Sequence, residues 1–113
     1  MEKLFVVIRS DLAPGLQLAQ SGHAIVAFQH SYPRIFEDWR DGSNNLVILS
    51  AEDEARLTAL ADHLTSKGVA VARFHEPDLG DQMTAISVGP AGRRLLSSLP
   101  LAGPRPSDCQ QAA

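Results

Sequence analysis

The stretch NLVILSAEDEARLTALADHLTSKGVAVARF, Asn45 to Phe74, decides the fold. It opens on NLVILS, a short apolar run rich in strand formers, which reads as a buried strand. SAED, Ser50 to Asp53, matches a capping box and opens a helix running to Lys67. Leu57, Leu60, Ala61 and Leu64 recur at helical spacing and make its buried stripe. Gly68 ends that helix as a left-handed C-terminal residue, and VAVARF follows as another apolar strand. A strand, a helix and a strand in succession are the unit that joins parallel strands through a crossover.

Reading outward from this unit extends the pattern in both directions. Upstream, KLFVVIRS is a strand and DLAPG a break, with Pro14 and Gly15 as turn residues. From Leu16 to about Gln29 the pattern is helical, with Leu18, Gly22, Ile25 and Gln29 on one face. Gln20, His23, Ala27 and His30 lie on the neighbouring face. SYPRIFEDWR reads as a second short helix capped by Ser31, with Pro33 in its first turn and Trp39 anchoring it on the core. Downstream, HEPDLGDQ is a polar loop, MTAISV a fourth strand, and GPAGRRLLSSL a short closing helix. Residues 1–102 make one domain, and the tail 103–113 is expected to be disordered. The order β-α-α-β-α-β-β-α predicts an α/β fold, a small mixed four-stranded sheet with helices on both faces. Strands three and four, joined by a short loop, are expected to run antiparallel.

Composition sets limits on function. The chain has 113 residues, is 44% hydrophobic and 20% charged, and carries a net charge of −3, the balance of an ordinary globular domain. Its longest apolar runs, LFVVI and AIVAF, are too short to cross a bilayer. MEKLFVVI is too short for the central region of a signal peptide, so a cytoplasmic location is expected. The single cysteine, Cys109, cannot form an internal disulfide. Four histidines in no HxH or HExxH arrangement predict no metal site. The absence of GxGxxG, P-loop and GxSxG patterns predicts no cofactor and no serine nucleophile. The acidic balance weighs against nonspecific nucleic-acid binding but leaves room for a local basic patch. Arg93 and Arg94 are adjacent, and Arg9, Lys67 and Arg73 lie near element ends.

In such sheets ligands gather beyond the carboxyl ends of parallel strands. Those ends are Arg9-Ser10-Asp11, Ser50, and Phe74-His75-Glu76, and AQSGHA (Ala19 to Ala24) follows the first of them. His23 is either a partly buried histidine bonded to a carbonyl or a general base, since imidazole titrates near neutral pH. Gln20, one turn away, is either solvated or placed to orient a water or bind a carbonyl. EPDLGD brings Glu76, Asp78 and Asp81 together, as a solvated turn or as a group that activates water or binds an amine or hydroxyl. Thr84 points a hydroxyl toward the same region or serves only as a strand former. Asp11 is expected to cap the first helix.

Taken in order, FVVIRSDL, AQSGHA, the Asn45–Phe74 unit and TAISVGP resemble the type II peptidyl-tRNA hydrolases of archaea and eukaryotes. They resemble more closely a shorter bacterial branch with the pattern D-L-x-P-G…A-Q-x-x-H-A…E-P-D-L-G…T-A. The likeness covers roughly Lys3 to Leu101. It implies a mixed four-stranded sheet, commonly a homodimer, and hydrolysis of the ester joining a peptide to the terminal ribose of tRNA. Asp11, Gln20, His23 and Thr84 match family positions. The family's helix opens on a glycine- and lysine-rich segment whose lysine is central to activity, whereas no lysine stands here between Asp11 and Gln20. Glu76 or Asp78 takes the place of the family's aspartate.

The resemblance therefore implies a carboxylic ester hydrolase acting on peptidyl-tRNA or aminoacyl-tRNA. His23, Gln20, Asp78 and Thr84 would be its catalytic groups, and Asp11, Glu76, Arg9, Arg93 and Arg94 would bind substrate. The alternatives are a non-catalytic homodimeric binding module that kept the fold without the lysine, and a hydrolase or transferase of smaller esters or amides.

Overall fold

Alternation along the central strand explains the layering. In a computed structural model, which describes residues 2–104, β1 (Lys3–Arg9) is buried over nearly its whole length. Its Leu4, Val6 and Ile8 turn to one side and Phe5 and Val7 to the other, as a two-residue period requires. The chain continues through α1 (Pro14–Ser31), α2 (Pro33–Asp41), β2 (Asn45–Ala51), α3 (Glu54–Ser66), β3 (Val71–Glu76) and β4 (Gln82–Val88). Two 3-10 segments, Pro77–Leu79 and Pro90–Leu96, complete it.

The sheet order is β2-β1-β4-β3. β1 and β2 are parallel, from Lys3 opposite Asn45 to Arg9 opposite Ala51, and β4 runs antiparallel to both β1 and β3. β3 thus points the same way as β1 and β2, and both helical crossovers join parallel-directed strands. Helices α1 and α2 cover one face and α3 the other. Under α3 lies a dry core of Phe5, Val7, Leu57, Leu64, Ile86 and Val88. Trp39 is buried beside Leu4 and Phe28 on the α1 side, and its Nε1 donates to the Asn45 carbonyl at 2.8 Å.

The outer edge of β2 is covered from Ile48 to Ser50 by the chain's own return. Leu101 bridges to Leu49 in antiparallel fashion. Ser50 N–H donates to the Pro100 carbonyl and Ala102 N–H to the Ile48 carbonyl, both at 2.9 Å.

Several local expectations are corrected. The SAED capping box does not form, because Ser50 belongs to β2. Asp53 alone caps α3, its Oδ1 accepting from the Arg56 N–H at 2.8 Å. Ser31 is the last residue of α1, and no side chain caps α2, which begins after Tyr32. Asp11 does not cap α1: Ala13 is the cap residue, Pro14 opens the helix, and Asp11 pairs with Arg9 instead. The eight-residue polar loop shrinks, since His75 and Glu76 extend β3 and Gln82 begins β4. The closing helix is 3-10 rather than α. Gly68 has the expected positive φ, 77°. The tail's expected disorder concerns residues that, from 105 on, lie outside the described residues, as does Cys109.

The spacing of α1 left open which of its faces is buried, and the structure decides it. Its buried residues are Gln20, Ser21, Ala24 and Phe28, while Leu18 is 76% exposed. Phe28 is fully buried and the Ala24 carbonyl accepts from the Ser87 hydroxyl at 2.7 Å. With those two residues against the sheet, Leu18 sits about 120° around the helix from Ala24. Small residues let α1 approach closely, and the polar face comes in with them.

Candidate functional site

A break in the β3–β4 ladder builds the site. Phe74 lies opposite Ala85, but His75 lies opposite Met83, so Thr84 is an extra residue without a partner on β3. Such a bulge bends the strand and re-aims a side chain. Thr84 and Ala85 consequently both turn toward α1, where alternation alone would send Thr84 toward α3. On β3, Ala72, Phe74 and Glu76 share the α1 side by ordinary alternation.

Gln20 meets both strands from α1. The Thr84 hydroxyl donates to Gln20 Oε1 at 2.6 Å, and Gln20 Nε2 donates to Glu76 Oε1 at 2.9 Å. The chemistry dictates this orientation of the amide. A carboxylate only accepts, so the NH2 group must face Glu76, which leaves the amide oxygen for the Thr84 O–H. Gln20 is 1% exposed and Thr84 fully buried, and both ends of the amide are engaged. The carboxylate is therefore held from inside the protein, and its second oxygen, Oε2, takes the Asp78 backbone N–H at 3.4 Å. Glu76 is also the cap of the 3-10 turn Pro77–Leu79.

His23 lies one turn beyond Gln20 and is exposed. Its ring stacks on Phe74, with centroids 4.6 Å apart and planes 11° from parallel. Phe74 is a half-buried residue that sequence reasoning did not single out. Its signal was available, since it stands two positions before Glu76 and so on the same face. Asp78 is exposed on the turn and joins the cluster only through its backbone. Of the two candidate carboxylates, Glu76 is the one that reaches Gln20.

Arg9 and Asp11 form a separate unit. Arg9 is buried on the α3 side and grips Asp11 through two bonds, Nε to Oδ1 at 2.9 Å and Nη2 to Oδ2 at 2.8 Å. Its Nη1 donates to Gln82 Oε1 at 2.9 Å and to the Met83 carbonyl at 3.3 Å. The hydrogen bond from Arg9 holds the Asp11 carboxyl below the usual carboxylate range against the opposing effect of burial. The same bond raises Arg9, with desolvation opposing it. Arg93 and Arg94 are exposed on the 3-10 segment after β4, at the opposite end of the sheet. Thr84 and Val88 alone are separated by about 13 Å of strand, so these arginines do not join the Gln20 cluster.

The expected convergence of three strand ends is also divided. β1 and β2 end at a cleft of about 470 Å³ on the α3 side, lined by Ser10, Ser50, Arg56 and His63 among others. β3 ends at the Gln20 cluster on the α1 side. The cause is topological: β2 and β3 occupy opposite edges of the sheet.

Residues 2–99 match the family model described as Peptidyl-tRNA hydrolase PTH2. The chain belongs to this family. A peptidyl-tRNA hydrolase of Thermococcus onnurineus strain NA1 is 28% identical over 107 residues, covering 86% of this chain and 91% of that protein. A solved structure from Agrobacterium tumefaciens strain C58, titled as a protein of unknown function, superposes with a TM-score of 0.64 at 15% identity. That match covers 90% of this chain and 98% of the other and shows a shared fold. The match to the PTH2 family takes in every candidate site residue from Arg9 to Arg94. Among the described residues, no helix is long and apolar enough to cross a membrane.

Proposed function

We propose that the protein hydrolyses the ester between a peptide, or an amino acid, and the terminal ribose of tRNA, acting in the cytoplasm. The observation that carries this reading is the buried Thr84–Gln20–Glu76 relay, which ends at a carboxylate, together with an exposed imidazole one helical turn from Gln20 and stacked on Phe74. Buried polar groups linked in this way are costly to assemble and hold one geometry once satisfied.

In this reading His23 takes a proton from water, which adds to the ester carbonyl carbon. The tetrahedral intermediate collapses, the bond to the ribose oxygen breaks, and that oxygen recovers the proton from the imidazolium. The products are a free peptide and a tRNA with its terminal hydroxyl restored. Glu76 holds the water, or the ribose hydroxyl, in line. Gln20 and Thr84 act through Glu76 as positioning residues, and Phe74 fixes the plane of the imidazole. Asp78 on the exposed turn is placed to receive the substrate's amine. Arg9 and Asp11 are consumed by each other, so phosphate contact falls to exposed cations such as Arg93 and Arg94, which lie within the span of a ligand as large as tRNA. The experiment is release of peptide from peptidyl-tRNA by the purified protein. His23→Ala abolishes it, and a variant as active as the parent overturns the assignment of His23.

One observation favours a second reading, a homodimeric binding module without catalysis. No lysine stands between Asp11 and Gln20, and the nearest buried cation, Arg9, is already neutralised. A stable dimer with no tRNA binding at low salt selects this reading over the first. A homodimer in either case is supported by the exposed side of α1, where Leu18 and Val26 stand two turns apart at 76% and 63% exposure. Leu18→Glu then converts the dimer to monomer in light scattering while leaving the fold intact.

A further inference from the structure

The bulge that aims Thr84 is itself held in an unusual way. β1 pairs with β4 only from Phe5 opposite Val88 to Ile8 opposite Ala85. Beyond Ala85, the backbone groups of β4 that point toward β1 need other partners. Met83 finds both of them in side chains from distant parts of the chain. Its N–H donates to Glu54 Oε2 at 2.6 Å, and its carbonyl accepts from Arg9 Nη1 at 3.3 Å. Glu54 is the first residue of α3 and does not cap it, since Asp53 fills that role. Its carboxylate reaches past its own helix to the sheet.

We propose that Glu54, assisted by Arg9, is a positioning residue that locks the β4 bulge and so keeps the Thr84 hydroxyl on Gln20. A regular continuation of the ladder would send Thr84 toward α3 and Met83 toward α1, because a one-residue slip exchanges the two faces. Glu54 grips Met83 from the α3 side and opposes that slip. Helix α3, on one face of the sheet, thereby sets the geometry of the relay on the other. Arg9 serves the same end through the Met83 carbonyl and Gln82, with Asp11 holding its guanidinium in place.

The inference rests on the hydrolase reading for its effect on rate, but its geometry is tested separately. Glu54→Ala, Glu54→Gln and Leu60→Ala are compared with the parent. Leu60 is half-buried against the core under α3, so its truncation reports ordinary loss of helix packing. Displacement of a site by about 1 Å from a distance costs on the order of 10²-fold in rate. Glu54→Ala is expected to lower kcat by about that factor with KM little changed, and Glu54→Gln, which keeps an acceptor oxygen, recovers most of it. Leu60→Ala lowers Tm without the loss of kcat. In parallel, NMR of Glu54→Ala shows faster exchange of the Met83 amide and displaced Gln20 side-chain amide signals. If the Gln20 signals stay in place while only Tm falls, as in Leu60→Ala, the positioning role is overturned. A parent protein that releases no peptide overturns the hydrolase reading instead, and the Gln20 and Met83 signals still decide the role of Glu54.

Discussion

The two faces of the sheet are made of different material. Under α3 the packing is almost wholly aliphatic and aromatic, built from Val7, Leu57, Leu64, Ile86, Val88 and Leu96. Under α1, Gln20, Ser21, Thr84 and Ser87 are buried among Val6, Ile8, Ala24 and Ala85. Thr84 is bound to Gln20, Gln20 to Glu76, and Ser87 to the Ala24 carbonyl. Among the described residues, no buried side-chain nitrogen or oxygen lacks a partner. The dry face supplies stability through area removed from water. The polar face gives up some of that gain for a fixed arrangement of donors and acceptors ending at a carboxylate.

Substitutions on the two faces are expected to separate stability from activity. Leu64→Ala, on the dry face, is expected to cost about 2–5 kcal/mol, measured by urea denaturation. Its activity per folded molecule should remain near the parent's. A specific loss of catalysis in that variant would erase the distinction between the faces. Thr84→Val, on the polar face, keeps the volume but strands the Gln20 amide oxygen. It is expected to cost about 1–3 kcal/mol, less than Leu64→Ala, while nearly abolishing peptide release. Thr84→Ser, which restores the hydroxyl, should recover both.

The smallest effect concerns the Arg9–Asp11 pair. Asp11 is lowered from an ordinary value of 3.8 in the folded protein. Its contribution to stability is therefore present above that ordinary value and is lost as pH falls through the depressed one. Denaturation midpoints should decline on acidification below about pH 4, and the decline should be shallower in Asp11→Asn. Equal slopes in the two proteins would mean that the exposed side of this pair is fully screened.

How far these features were legible in the sequence follows from the range of each interaction. The strands, α3 and its stripe of Leu57, Ala61 and Leu64 were readable because their signals are local periodicities. The rotation of α1 was not. Neither of its two stripes was marked as the buried one, and Ala24 and Phe28 set the helix angle through contacts with strands far away in sequence. Gln20, His23, Glu76 and Thr84 were picked out as residues, whereas the link among them depends on the extra residue in β4. Nothing in QMTAISV marks that bulge, because it is defined by the register with β3. Asp11 was expected to cap a helix, whereas its partner is Arg9, two residues away. Glu54 went unnoticed because a glutamate opening a helix ordinarily needs no further explanation.

The return of the chain along β2, from Pro100 to Ala102, has a consequence for assembly. A sheet with two bare edges can recruit copies at both sides and grow into a fibre. Here the Ile48–Ser50 part of one edge is already occupied by the molecule's own backbone, leaving β3 as the edge where another strand can add. Joining two copies edge to edge through β3 would put a partly covered β2 at each outer margin. Strand addition would then stop at a pair, making the C-terminal return a built-in terminator of polymerisation.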